Sequence, residues 1–237
     1  MECVSCPVRQ YTIYRSVPES ELDKLFEARL GVSTLERGQL IMEDQRETPY
    51  VYTLRSGWAY SFALLSDGRR QILSFFHPGD FLTTSALLGE GLRASVRCLT
   101  EVELCKFDKK KLRAFFRKSE VADNGLFEYL GAEKRLCDER MIELGALSAE
   151  EAVASLITEF VLAAKKRGCE ASEIPFPLRL AEIAETVGVT EIHAGRIIRG
   201  LERRGAIQRT KAGGIKADEA ALQSILTAAG RLFLPAP

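Results

Sequence analysis

The spacing of apolar positions changes along the chain, and each change predicts a different kind of element. Glu19 to Leu30 carries apolar residues three and four apart, which predicts a short amphipathic helix. From Leu35 to Phe107 the spacing is two, in short runs rich in aromatic and β-branched residues. The predicted strands are 50–54, 58–65, 70–76, 94–100 and 102–107, separated by Gly- and Asp-containing turns. This region predicts a small antiparallel β-roll of the cupin-like jelly-roll type.

Helical spacing returns after the roll. Asp108 can cap a short helix over DKKKLRAFF, and a longer helix is predicted from about Ser119 to Leu144. A seam of apolar residues near heptad spacing follows this helix and is interrupted at Glu133-Lys134. The seam residues are Leu126, Leu130, Cys137, Met141 and Leu144. Such a seam pairs most simply with a second copy in a coiled coil, although it can instead pack on the chain's own roll.

The last third of the chain predicts a small helical domain. Ser148 with Glu151 forms a capping box, which starts a helix that ends near Gly168. Short extended pieces at 206–209 and 214–217 predict a two-stranded wing, and Asp218 begins a last helix.

A helix-turn-helix is predicted from Leu180 to Arg199. Gly188 lies where a chain leaving a helix needs a left-handed residue, and Thr190 can cap the second helix. The residues predicted to face the core are Ile183, Ala184, Val187, Ala194, Ile197 and Ile198. The residues predicted to point outward, where they can enter a major groove, are Thr190, Glu191, Ile192, Gly195, Arg196 and Arg199. The alternative is an ordinary helical hairpin within a core.

Together these elements predict an α+β protein with an N-terminal antiparallel β-roll, a long dimerisation helix and a C-terminal winged helix-turn-helix. The expected boundaries are 1–118, 119–146 and 147–237.

The distribution of charge along the chain predicts a binding partner. The whole chain is balanced, with 33 Lys and Arg against 33 Asp and Glu. The segment from Gly188 to Lys216 is basic, because Glu191 and Glu202 are its acidic residues while its basic residues are Arg196, Arg199, Arg203, Arg204, Arg209, Lys211 and Lys216. A basic stripe beside a helix-turn-helix predicts nucleic-acid binding.

The chain shows neither an apolar run of the roughly eighteen residues that span a bilayer nor a signal-peptide core at its N-terminus. We therefore expect a cytoplasmic protein without a membrane partner, in which the six cysteines are mostly reduced.

Three segments together resemble the CRP/FNR family of bacterial transcription regulators. They are RGQLIMEDQ at 37–45, YTLRSGWAYSFALLSDGRRQILSFFHPGDF at 52–81 and LAEIAETVGVTEIHAGRIIRGLERRGAI at 180–207. The resemblance implies a sensory roll and a homodimer that binds a partly palindromic site in double-stranded DNA and recruits or blocks RNA polymerase. It also implies that an effector in the roll changes the geometry of the dimer helices and so the spacing of the recognition helices.

The base-contacting positions of the family correspond here to Glu191, Ile192 and Arg196. Arg196 matches the family and can bind guanine in bidentate fashion. Ile192 departs from it, because the family often carries glutamate there, and Ile192 can contact a thymine methyl instead. His193 is either a DNA contact or a surface histidine without a specific role. Arg199 and Lys211 complete the expected DNA-binding set.

The resemblance also allows the cyclic-nucleotide ligands to be compared in the segment GDFLTTSALLGEGLRASV. The family's ribose-binding glutamate falls at or near Thr84, and the hydroxyl partner of its phosphate-binding arginine is replaced by Ala94, while Arg93 is kept. We therefore expect that cyclic AMP does not control this protein.

The oxygen-sensing branch of the family holds an iron–sulfur cluster, and Cys3, Cys6 and Cys105 resemble three of its ligands. The remaining N-terminal ligand should lie near Thr12, where there is no thiol, although Cys98 could substitute. A cluster, redox-active Cys3 and Cys6 thiols, and purely structural cysteines all stay open, with the last favoured. No metal or cofactor is predicted. Little favours haem, since His77 precedes a Pro-Gly turn and is expected to be exposed.

An enzyme is the rival class, and neither a phosphate loop, a nucleophile elbow nor a histidine–carboxylate cluster supports it. A signalling module whose helix-turn-helix binds protein is a third alternative.

Overall fold

A computed structural model describes residues 3, 5–44, 46–82, 84–88, 94–169, 173–210 and 213–228. The chain folds into two compact units, Met1–Cys137 and Asp138–Pro237. The boundary falls inside the longest helix. The division into segments 1–118, 119–146 and 147–237 stays a prediction. Within the described ranges, no helix combines the length and the hydropathy needed to cross a bilayer.

The N-terminal unit begins with a short 3-10 helix at Arg9–Tyr11 and continues as a roll. Its elements are α1 (Glu19–Ala28), β1 (Arg29–Leu35), β2 (Leu40–Met42), β3 (Tyr50–Ser56), β4 (Ala59–Leu64), β5 (Arg70–Phe76), α2 (Thr84–Leu88), β6 (Ser95–Cys98), β7 (Val102–Asp108) and α3 (Lys109–Lys118). The strands predicted from alternating apolar residues are confirmed. The predicted first helix ends earlier than expected, because Arg29 begins β1.

The strands form two antiparallel sheets with the orders β1-β7-β3 and β2-β6-β4-β5. In the first sheet Cys105 of β7 lies opposite Val32 of β1 and Thr53 of β3. In the second, Ser61 of β4 lies opposite Ser74 of β5, and their hydroxyl oxygens are 2.7 Å apart. The predicted antiparallel roll is therefore confirmed. Asp108 caps α3 as expected, since its carboxylate accepts a hydrogen bond from the Lys111 amide at 2.9 Å.

The long helix α4 (Glu120–Ala146) corrects the predicted seam at its first position. Leu126 is only 7 % exposed and belongs to the hydrophobic core of the N-terminal unit, so it is not available to a partner subunit. Its neighbour Phe127 is 65 % exposed. The seam on the uncovered side of α4 therefore passes through Phe127 and not through Leu126.

In the part of the chain that the structure describes, the C-terminal unit contains the end of α4, four further helices and a small sheet. These elements are α5 (Ala149–Lys166), β8 (Ile174–Pro175), α6 (Leu180–Val187), α7 (Glu191–Arg203), β9 (Ile207–Arg209), β10 (Gly214–Ala217) and α8 (Glu219–Ala228). The Ser148–Glu151 capping box is present at the start of α5, as predicted. The predicted two-stranded wing has a third strand, because β8 from the preceding linker pairs with β10.

His77 is buried, so the expectation that it is exposed is wrong. The His77-Pro-Gly-Asp80 turn folds back on itself, and the His77 amide donates to Asp80 Oδ2 at 2.7 Å. The ring packs edge-on against Trp58, with 4.5 Å between ring centroids. The sequence predicted that the His77 side chain projects outward from this turn. The turn instead places the ring in the interior of the fold.

Candidate nucleic-acid interface

Helices α6 and α7 form the predicted helix-turn-helix, and local sequence explains its geometry. Gly188 has φ +73°, a left-handed conformation that costs glycine little, and its amide donates to the Ala184 carbonyl at 2.9 Å. Thr190 then caps α7, because its hydroxyl accepts a hydrogen bond from the His193 amide at 3.2 Å. Both predictions are confirmed. The turn therefore fixes where the first residues of α7 emerge.

The buried side of this motif anchors α7 in its unit. Ala194, Ile197 and Ile198 are buried, as predicted. Gly195 is buried as well, so the expectation that it points outward is wrong. A Cβ atom at Gly195 would lie 3.3 Å from Leu180 Cδ1, so the absence of a side chain allows α6 and α7 to approach closely here.

The opposite side of α7 is exposed and carries polar and charged groups. The predicted contact residues on it are all exposed: Thr190, Glu191, Ile192, His193, Arg196 and Arg199. Arg196 follows Ile192 by four residues, so the two side chains lie on one side of the helix, one turn apart. This surface offers a guanidinium and an aliphatic side chain to a ligand, which are the groups that bind guanine and the thymine methyl.

Ion pairs reduce the number of cations that are free to bind phosphate. Arg209 makes a two-pronged pair with Glu202, at 2.7 and 3.0 Å, which lowers the pKa of Glu202 and raises that of Arg209. Arg204 pairs with Glu150 of α5. Arg196 and Arg199 form no ion pair with any described residue. Arg204 and Arg209 are therefore already paired with carboxylates, so fewer basic residues can bind phosphate than the sequence suggested. Lys211 lies outside the described residues.

The exposed seam of α4 is a separate surface, the candidate dimer interface. The apolar residues on it are Phe127, Leu130, Cys137, Met141 and Leu144, and Lys134 completes the alternating spacing of three and four. Met141 is 71 % exposed, and Cys137 and Leu144 are exposed too. Leu130 is partly buried against the roll core. Phe127 was missed in the sequence, although the regular spacing of this set could have identified it.

A buried charge network joins the end of α4 to α5 within the C-terminal unit. Arg140 donates to Glu143 Oε2 and to Glu159 Oε2, both at 2.7 Å, and its side chain is 12 % exposed. Ser155 donates to the other oxygen of Glu143. The network fixes Met141 and Leu144, on the same turns of α4, to the unit that carries α7. The residue types alone do not predict this network.

In the roll, the position that the resemblance assigns to nucleotide binding has a different arrangement. The Thr84 hydroxyl lies 2.9 and 3.0 Å from the two carboxylate oxygens of Glu133 on α4. Burial raises the pKa of Glu133, the Thr84 hydroxyl lowers it, and the charge of nearby Asp80 raises it. The Thr84 hydroxyl is therefore already hydrogen-bonded to a carboxylate of the protein. Arg93 lies outside the described residues.

We expect cyclic AMP not to bind in the micromolar range. Thr84 and Ala94 replace two polar ligand groups, each worth of order 1–3 kcal/mol, and Glu133 adds an anion beside Thr84. Isothermal titration of the purified protein should show no binding heat. Glu133→Gln is the matched control, since it removes the charge but not the missing ligands and should stay silent. Micromolar binding by either protein would contradict the prediction.

The structure brings Cys3, Cys6 and Cys105 near one another beside Arg29. Burial raises the pKa of the Cys3 and Cys105 thiols, Arg29 lowers it, and the neighbouring thiols raise it further. A raised thiol pKa disfavours the thiolate that reacts with oxidants or binds metal. Among the described residues, no group of three or more His, Cys, Asp or Glu side chains is arranged to hold a metal ion.

Neither Thr12, which lies where the remaining N-terminal ligand is expected, nor Cys98 supplies the missing ligand of an iron–sulfur cluster. Thr12 is buried, and its hydroxyl donates to the Arg9 carbonyl at 2.8 Å and accepts from the Tyr14 amide at 3.1 Å. Cys98 lies in the roll core, where burial raises its pKa to about 11. These residues therefore do not fit a cluster that needs four thiolates.

Comparison with known proteins gives matches over both units. Residues 32–119 match the model of the cyclic nucleotide-binding domain, and residues 151–225 match the Crp-like helix-turn-helix domain. The nitrogen fixation regulation protein FixK of Bradyrhizobium diazoefficiens is 28 % identical over 95 % of this chain and 94 % of its own length. The transcriptional activator protein FnrL of Cereibacter sphaeroides is 25 % identical over 86 % of this chain and 83 % of its own length.

The fold is also similar to a solved structure. FixK2 from Bradyrhizobium japonicum superimposes with a TM-score of 0.74 at 23 % identity, covering 82 % of this chain and 96 % of that one. This similarity supports the α+β architecture described above.

Proposed function

Because the chain belongs to the CRP/FNR family of DNA-binding transcription regulators, we propose that it acts as a homodimer on a partly palindromic operator and controls RNA polymerase there. The single observation that carries the proposal is the exposed first turn of α7, which Gly188 and Thr190 fix in place. Two such helices in one dimer can enter successive major grooves of the same duplex. The relatives are named as regulators, which favours this function over an enzyme, and its DNA target implies the cytoplasm.

Arg196 is the main base-contacting residue in this proposal, with Glu191, Ile192 and His193 around it. Arg199 and Lys211 bind phosphates. The named activity of FnrL as an activator favours recruitment of the polymerase over blocking. We assign no cyclic nucleotide, iron–sulfur cluster or other cofactor to the roll.

The dimer forms through the seam of α4 in a parallel coiled coil. Phe127, Lys134 and Met141 take the a positions, and Leu130, Cys137 and Leu144 take the d positions. Lys134 at an a position costs stability but fixes the register. The pairing would cover Phe127 and Met141, which are large, apolar and more than half exposed in the single chain.

Mild oxidation should cross-link this dimer through Cys137. Equivalent d positions face each other in a parallel coiled coil, within the Cα separation of roughly 4.4–6.8 Å that a disulfide requires. Cys137 is exposed, while the other cysteines are partly or fully buried. Copper-phenanthroline treatment should give a covalent dimer on a non-reducing gel.

Cys137→Ser should abolish that band, and Cys169→Ser should keep it. A protein that is monomeric by light scattering, or a band that persists in Cys137→Ser, would show that the seam is not the dimer interface.

A further inference from the structure

Ile192 lies on the candidate DNA-binding surface of α7, and its apolar side chain limits which groups of DNA it can contact. It is the second residue of α7 and is 71 % exposed. Residues in the first turn of a recognition helix lie closest to base edges when the helix enters the major groove. An isoleucine there can neither donate nor accept a hydrogen bond. Its contact with DNA must therefore be with an apolar group.

The groups around Ile192 narrow what this turn can recognise. Thr190 is engaged in capping α7, so its hydroxyl oxygen already accepts the His193 amide. The thymine C5-methyl is the apolar group that base pairs present in the major groove. Among the base edges in the major groove, the thymine methyl gives an isoleucine the largest apolar contact.

We propose that Ile192 selects a thymine in each half-site by packing against its C5-methyl, within about two base pairs of the guanine bound by Arg196. This limit follows from geometry: residues four apart on a helix are about 6 Å apart along its axis, and base pairs are spaced by about 3.4 Å, so a helix lying along the DNA axis would span about two base pairs and an inclined helix fewer. This inference rests on the proposed function and names the base that the first turn of α7 requires.

Removing one methyl group from the DNA tests the contact. Operators are selected from random duplexes with the full-length protein, and each thymine of the selected half-site is then replaced singly by deoxyuridine, which lacks only that methyl. At one position the dissociation constant should rise about three- to sixfold, the effect of losing one buried methyl group. That position should lie within about two base pairs of the guanine whose replacement weakens binding most.

Protein variants test the same contact from the side of the protein. Ile192 is exposed, so Ile192→Ala should fold normally, and it should bind the thymine and deoxyuridine operators equally well. Ile192→Val keeps a branched apolar side chain and should keep part of the discrimination. Arg196→Ala should bind more weakly but keep the preference for thymine over deoxyuridine.

Two failures have different meanings. If a dimer selects an operator but no thymine is sensitive to loss of its methyl, or if Ile192→Ala still discriminates, the inference about Ile192 is wrong. If no operator can be selected, or the protein binds as a monomer, the proposed function itself fails.

Discussion

Arg196→Ala is expected to lower affinity for the operator by roughly 5- to 150-fold while leaving non-specific DNA binding almost unchanged. This corresponds to about 1–3 kcal/mol for the loss of a bidentate contact to guanine. Arg196 is exposed, forms no ion pair with a described residue and lies about one and a half turns from the start of α7, so removing it should not disturb the fold. Competition mobility-shift assays against operators changed at single base pairs provide the measurement. The variant should tolerate a change of the guanine that wild-type protein rejects.

Arg199→Ala and Lys211→Ala are the controls, because they are expected to bind phosphates. Each should weaken binding to all sequences alike and reduce the slope of log affinity against log salt by about one unit. Arg204→Ala should have a small effect, since Arg204 is already paired with Glu150. An Arg196→Ala protein that loses affinity for every sequence equally would show that Arg196 binds phosphate and not a base.

The helix-turn-helix could be predicted because its determinants are local. A left-handed glycine and a threonine cap act over a few residues, and both were recognised from residue type and position. Gly195 could not be placed this way. Its burial depends on Leu180 of another helix, and on a helical wheel it falls on the same side as exposed residues.

The seam of α4 shows the opposite case. Leu126 and Phe127 are adjacent and both apolar, so the sequence offers two competing positions for the start of the seam. The two positions differ in the fold because the roll core covers Leu126 and leaves Phe127 exposed. The strand β8 escaped prediction for a related reason, since two residues of a linker pair with β10 without any repeating pattern.

Loss of Arg140 is expected to have the largest effect on stability. Arg140→Ala leaves the carboxylates of Glu143 and Glu159 without their common cation in a mostly buried site. Breaking a buried pair in this way costs about 3–5 kcal/mol. At about 4–8 °C per kcal/mol for a unit of this size, the thermal transition of the C-terminal unit should fall by well over 10 °C.

Lys165→Ala is the matched control in the same unit, because the Lys165–Glu219 pair is half exposed and should contribute at most about 1 kcal/mol. Scanning calorimetry on the full chain measures both variants. Arg140→Ala should also weaken operator binding, because Arg140 holds the turns of α4 that carry Met141 and Leu144 against α5, in the unit that contains α7. If both variants melt within 2–3 °C of wild type, a shift expected from less than about 1 kcal/mol, the Arg140 network does not fix the end of α4. The seam and the recognition helix would then have to be coupled through other contacts.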